Sequence, residues 1–381
     1  MMTRAMDDEL RTLAAALGER SDEIRAARCL PADVVEALRA AGAFRIAAPR
    51  ALGGPELDPH AQTEVIEHLS RHETAVGWCV MIGSDAPYYG AFLGPEAARE
   101  LWPSIDDVTA GQIPPNGQAR AVDGGWLVNG RWSFGSGCTH ADVIVGGCLA
   151  MEGDALRMVD GRPDFLIACA PASAWNVLDN WDTTGLEGSG SNDSTATDLF
   201  VPERHAFRFT DPVQQPEPLY GWPGMFFVNM AGVPLGLARR AIDLATAIAH
   251  EKLLLPEMVL MRDTSRAHRA IAHAEAQLGA ARAYVYDALD RCWAALVAGD
   301  APDLDTRVAV ALSRAHAFQT ARAVALAMAD LVGASSVYRS HPVEPLVRDA
   351  ITMSQHIAAQ ERMFEMVGQL RLTGQSTMPL I

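Results

Sequence analysis

Lysine is almost missing from this sequence. Lys252 is the only one among 381 residues, so nearly all of the 31 basic side chains are arginine and Schiff-base chemistry has a single candidate. No basic run occurs either, and the net charge of −16 would repel a phosphate backbone, which excludes nucleic acid as a partner. The six cysteines, Cys29, Cys79, Cys138, Cys148, Cys169 and Cys292, are scattered, with no C-x-x-C pair and no histidine at zinc spacing. That pattern points to reduced core thiols, with neither a disulfide framework nor a metal site. Long apolar runs are absent too. The first twenty residues, MMTRAMDDELRTLAAALGER, are charged and amphipathic, and no later segment is apolar for the length a bilayer requires. The expected location is the cytoplasm, with no membrane contact.

What is present is enough apolar material, 49 % of the residues, for a sizeable core. Residues 1–110 read as helices. LPADVVEALRAAGAF places Pro31 near a first turn, lines up Val34, Val35 and Leu38 on one face and stops at Gly42; a second helical pattern, AQTEVIEHLSRHETAVGWCVMIGSD, follows the break at Gly53 to Pro55. Residues 111–215 form a β domain in which short strands are split by turns. A hairpin is predicted around Asp123-Gly124-Gly125, and ADVIVGGCLA, DFLIACAP and TATDLFVP read as strands. Residues 216–381 return to helix in four long segments, the last being VEPLVRDAITMSQHIAAQERMFEMVGQL, with Ala-rich faces suited to close antiparallel packing. The predicted class is α+β, without alternating βαβ units.

Two Gly-x-Gly turns stand out in the β domain, Gly135-Ser136-Gly137 and Gly188-Ser189-Gly190. A dinucleotide fingerprint needs a third glycine and a following helix, whereas both turns run on into strands, so that reading fails. Tight β turns are the plain alternative. A flat ligand held close to the backbone is the functional one.

Taken in order, ETAVGWCV, NGRWSFGSGCTHAD, WDTTGLEGSGSNDSTATDLFVP and RDAITMSQH resemble the acyl-CoA dehydrogenase fold superfamily over nearly the whole length. Within it, the chain is most similar to the oxygenase components of two-component flavin-dependent monooxygenases, the group of 4-hydroxyphenylacetate and steroid-phenol hydroxylases. The resemblance implies an N-terminal helical domain, a middle β-sandwich or barrel and a C-terminal four-helix bundle. It implies reduced FMN or FAD from a separate flavin reductase, O2, hydroxylation of a small organic substrate through a flavin C4a-hydroperoxide, and a homotetramer.

The resemblance also assigns roles. The strand end carrying Trp132, Phe134, Ser136 and Gly137 is expected against the isoalloxazine ring, with the Ser136 hydroxyl accepting a hydrogen bond from N5–H. Gly190 lies in the hairpin that borders flavin and substrate, where Asn192 and Asp193 are expected to hold the loop. Arg262, in MRDTSR, is a candidate phosphate contact at a subunit interface. Dehydrogenases of the superfamily place a catalytic glutamate after an Arg-Asp pair in the last helix. Here Arg348-Asp349 is followed by no carboxylate until Glu361, and His356 stands in its place, as in the monooxygenases. Imidazole there would serve as a base or a hydrogen-bond partner, which makes Ser136 and His356 the expected catalytic pair. Trp78, Tyr88, Trp222 and Phe226 are candidate substrate walls. Ala86 precedes Pro87 where phenol hydroxylases of the group often have histidine, which argues against a simple phenol. Two alternatives remain, a flavoprotein dehydrogenase or oxidase of the acyl-CoA dehydrogenase type and a non-catalytic protein that keeps the fold.

Overall fold

The computed structural model describes residues 4–375. Seven α-helices come first: α1 (Arg4–Gly18), α2 (Ser21–Ala27), α3 (Ala32–Ala40), α4 (Pro59–His72), α5 (Thr74–Gly83), α6 (Ala86–Gly90) and α7 (Pro95–Leu101). Helix α3 follows Pro31, buries Val34, Val35 and Leu38 and is succeeded by Gly42 at φ +77°. The second predicted helix is two. Glu73 adopts an extended conformation between α4 and α5, and its carboxylate accepts from the Ala75 N–H to cap the new helix. Every residue of α5 except Ile82 is buried, as an all-round apolar helix must be. That helix brings Trp78 to the middle of the molecule.

The β region follows. Its main strands are β1 (Thr109–Val122), β2 (Gly125–Gly135), β3 (Val143–Glu152), β4 (Phe165–Pro171), β5 (Asn176–Val177), β6 (Asn192–Pro202) and β7 (Ala206–Phe207). They hydrogen-bond in the order β7-β4-β3-β1-β2-β6-β5, with β1 and β3 parallel and the other neighbours antiparallel. The predicted hairpin is present, with Val122 opposite Gly125. Successive side chains of a strand leave on opposite faces, and here both faces are covered. Val143 and Val145 of β3 and Ile167 and Cys169 of β4 join the core shared with the helices, while Ile144, Cys148, Leu166 and Ala168 join a second core inside the β domain. This is why both strands read as nearly continuous apolar runs. All six cysteines are free thiols, five of them buried.

The C-terminal region contains α8 (Gly232–Glu251), α9 (Ser265–Val297), α10 (Leu304–Val332), α11 (Glu344–Met353) and α12 (Arg362–Thr373). The predicted fourth long helix is therefore broken in two. Residues 354–361 form turns in which side chains compete with the helical hydrogen-bond ladder: Ser354 Oγ donates back to the Ala350 carbonyl, and His356 Nδ1 accepts from the Ala358 N–H. His356 sits in this break, not within a helix.

Trp132 anchors the inner β core. It is 1 % exposed, donates its indole N–H to the Gly147 carbonyl at 2.8 Å and meets Trp175 edge-on at 5.0 Å. The slot it fills is tight, because a Cβ added to Gly117 would lie 2.1 Å from the Trp132 ring and 3.1 Å from Cys148 Sγ. Gly117→Ala is expected to destabilise the protein by about 1–3 kcal/mol through overpacking. In chemical denaturation the cost should shrink when combined with Trp132→Leu, which empties the slot; strictly additive effects would show that the two residues do not share it.

Candidate active site

The two Gly-x-Gly turns interlock as one structure. At the end of β2, Phe134 takes φ +67° and Gly137 φ +74°, so the chain doubles back, and the Ser136 N–H donates to the Phe134 carbonyl at 2.9 Å. The Gly137 N–H then donates to the Ser189 carbonyl at 3.0 Å. Beneath this pairing runs a buried row of hydroxyls: Ser136 Oγ lies 2.7 Å from Ser191 Oγ, which lies 2.7 Å from Ser189 Oγ. Trp78 completes the row by donating its indole N–H to Ser136 Oγ at 2.9 Å.

The second turn is held from behind. Asn192 Oδ1 accepts from the backbone N–H groups of Asn180 and Trp181, and Trp181 Nε1 donates to the Leu186 carbonyl. Asp349 Oδ1 accepts from the Leu186 N–H at 2.6 Å, while Arg348 reaches the Thr184 carbonyl and pairs with Glu187. Burial, followed by the nearby Glu73, pushes the Asp349 carboxyl up to about 7. The Arg-Asp pair thus positions the loop that carries Ser189 and Ser191.

His356 also packs against Trp78. The two rings meet edge-on at 5.7 Å, and Phe227 approaches the imidazole at 6.4 Å. Trp78 also meets Phe318 of α10 at 6.5 Å. His356 is surrounded by protein yet keeps part of its surface accessible. Burial, with a smaller contribution from Arg314, pushes its pKa down to about 4. Because Nδ1 accepts from Ala358, the neutral ring carries its proton on Nε2. The imidazole is thereby set up as a hydrogen-bond donor.

The chain aligns with two family descriptions: acyl-CoA dehydrogenase, N-terminal domain, over residues 2–103, and acyl-CoA dehydrogenase, C-terminal domain, over residues 228–361. It is 33 % identical to the indole-3-acetate monooxygenase of Pseudomonas putida over 340 residues, 88 % of this chain and 86 % of that protein. It is 28 % identical to the oxygenase subunit HsaA of a flavin-dependent monooxygenase from Rhodococcus jostii, over 97 % of this chain and 98 % of that one. The crystal structure of 3-HSA hydroxylase from Rhodococcus sp. RHA1 superposes with a TM-score of 0.90 at 26 % identity and full coverage of both chains. The chain belongs to the flavin-dependent monooxygenases of the acyl-CoA dehydrogenase fold. This monooxygenase is an enzyme of the oxygenase-component kind, which implies a separate flavin reductase. Among the described residues, no helix is long and apolar enough to cross a membrane.

The structure of the monooxygenase brings Ser136, Gly137, Trp78 and His356 together and sets other expected residues apart. Trp132 fills the inner β core, with its polar atom already bonded. Phe134, two residues on, is 66 % exposed and meets Trp181 edge-on at 6.3 Å. The left-handed Phe134 and a register shift between Trp132 and Gly135 break the alternation that would have put both rings on one face. Tyr88 and Phe226 lie in another part of the core. They pack at 5.6 Å in a closed aromatic cluster with Tyr89, Tyr220 and Phe92, and the Tyr88 hydroxyl is bonded to Gln62. Trp222 is half-buried with its ring over Gly224. Gly190 packs against Cys29, and Arg262 lies on an exposed turn beside Asp263. Sequence reasoning missed Phe227, Phe318, Arg314, Ser189 and Ser191. Only Ser189 and Ser191 carried a signal, as hydroxyls within the second glycine turn.

The unfolded chain takes up the imidazole proton near pH 6.5, whereas the fold resists it down to about 4. Stability contributed by neutral His356 is therefore complete above pH 6.5 and drains away as the pH falls towards 4. Denaturation across that range should show a shallower pH dependence for His356→Gln than for the wild type. Nitrogen-15 NMR of labelled histidine should show the Nε2–H form at neutral pH; a titration midpoint near 6.5 would contradict the site described here.

Proposed function

We infer that the bend at Ser136 and Gly137 receives the ring of reduced FMN or FAD, with Phe134 flanking it, and that an aromatic substrate lies between that ring and His356. The observation that carries this reading is the buried connection from Ser136 through the Trp78 indole to His356. The residues suit a flat heteroaromatic group. Ser136 offers a hydroxyl that both donates and accepts, and Gly137 has a positive φ that suits a tight bend, with the His140 imidazole packed beside it. Trp78 and Phe227 supply apolar walls. Reduced flavin supplies two electrons which, with O2, place one oxygen atom in the substrate and the other in water.

This chain's own contributions follow from the geometry. Ser136 holds a hydrogen bond at the ring edge, the interlocked turns exclude water from it, and His356 donates Nε2–H to an oxygen atom that gains negative charge. No carboxylate takes the place of the dehydrogenase base. Asp349 is committed to the Leu186 N–H, and Glu361 accepts from Gln319 at the surface. An aromatic substrate accords with the indole-3-acetate of the Pseudomonas putida relative. A tetramer in the cytoplasm, with Arg262 near a subunit contact, belongs to the same reading.

When anaerobic protein carrying reduced flavin is mixed with oxygen, a transient absorbing species should precede oxidised flavin. Its absence would contradict the proposed use of the bend. Ser136→Ala should weaken reduced-flavin binding and shorten the transient. His356→Ala should leave flavin binding close to wild type and lower coupled product about 10–100-fold, the worth of one hydrogen bond to developing charge.

A further inference from the structure

Arg314 is a buried charge answered only by the face of the Phe227 ring and one long bond. The residue is 6 % exposed, its Nε has no partner, and Nη1 reaches only the Phe227 carbonyl at 3.5 Å, too long for a strong bond. No carboxylate among the described residues pairs with it. Burial alone shifts its pKa, downward to about 10. Native proteins seldom leave a guanidinium in this condition, because an unpaired buried charge forfeits its hydration without return.

The geometry shows where this charge is aimed. Arg314 and Phe318 lie one turn apart on α10, so they share a face. Phe318 meets Trp78, and the Arg314 guanidinium lies 5.2 Å from the centre of the Phe227 ring, which in turn faces His356. That face of α10 therefore looks onto the same space as the candidate catalytic residues. Asn229, two residues beyond Phe227 and 1 % exposed, adds an amide whose oxygen and nitrogen are both buried without partners.

We propose that the site takes a small aromatic substrate bearing a carboxylate, and that Arg314 receives this carboxylate while the ring lies along Trp78, Phe227 and His356. The proposal rests on the reading that this site oxygenates aromatics and adds the feature by which it selects among them. A guanidinium fork matches a carboxylate in two parallel hydrogen bonds, and the low dielectric of the site strengthens both. A neutral analogue of the same shape would close the site over an unpaired cation and be rejected for that reason.

The test compares phenylacetate, 4-hydroxyphenylacetate and indole-3-acetate with their neutral amides. Binding is measured calorimetrically and without oxygen, on protein carrying reduced FMN. At least one acid should bind the wild type on the order of 100-fold more tightly than its amide. Arg314→Met should bring that ratio close to one while retaining reduced-flavin binding, and it should melt no lower than the wild type, since it removes an unpaired buried charge. Arg314→Lys should keep part of the preference. Equal binding of every acid and its amide to the wild type would overturn the proposal. So would a preference that survives in Arg314→Met, or a marked fall in that variant's melting temperature, which would assign Arg314 to the fold. Loss of the oxygen-dependent transient in the wild type would count against the flavin reading instead. An intact transient beside an acid-to-amide ratio of one would count against the carboxylate alone.

Discussion

The hydrogen bond from the Trp78 indole to the Ser136 hydroxyl is the joint between the two halves of the site. Trp78 is carried on a helix buried on all sides, and Ser136 on a bend locked to a second turn by the Gly137 N–H and a row of serine hydroxyls. The indole N–H has its acceptor in Ser136, whose hydroxyl also bonds Ser191. A buried indole N–H without a partner would cost about 1–3 kcal/mol, so the bond fixes how far the β domain stands from the helices. His356 then packs against the same indole. One side chain thereby sets the distance between the group expected to touch the cofactor and the group expected to touch the substrate.

The electrostatics of this interior oppose those of the surface. The chain carries a net charge of −16, yet the charge that acts on His356 is the guanidinium of Arg314. The carboxylates nearest to His356 in sequence are occupied elsewhere, Asp349 on a loop N–H and Glu361 on Gln319. Desolvation and a positive neighbour both disfavour protonating the imidazole, so the two effects add. The local charge is positive, and protein packs most of the imidazole. This environment stabilises negative charge in a ligand and makes a second cation there unfavourable.

Much of this was legible in the sequence because it is local. The Asp123-Gly124 hairpin, the helix ending at Gly42 and the strained bend before Gly137 each follow from turn chemistry within a few residues. The departures share a different origin. The resemblance sets Trp132 and Phe134 against one ring, whereas the left-handed Phe134 and the register shift before Gly135 give the two side chains different surroundings. Composition permits one long helix through residues 354–361, and the bonds made by Ser354 and His356 end it. Arg314 was invisible for a stronger reason. It lies in an Ala-rich helix with two other arginines, Arg307 and Arg322, and what marks it is the absence of a carboxylate partner. Sequence lists the charges that a chain has, but not which of them go unpaired.

The break at residues 354–361 bears on the choice between base and donor. Had the helix continued, His356 would have presented a free imidazole in either tautomer. In the turn, Nε2 already carries the proton and the Ala358 N–H occupies Nδ1, so taking up another proton would break that bond and demand a charged ring beside a guanidinium. Donation from Nε2 demands neither a change of charge nor any movement. The same local bonds that defeat the helix therefore select the tautomer. They also explain why histidine can stand where the dehydrogenases of this fold keep glutamate: a carboxylate takes a proton from its substrate, whereas this imidazole is arranged to lend one in a hydrogen bond.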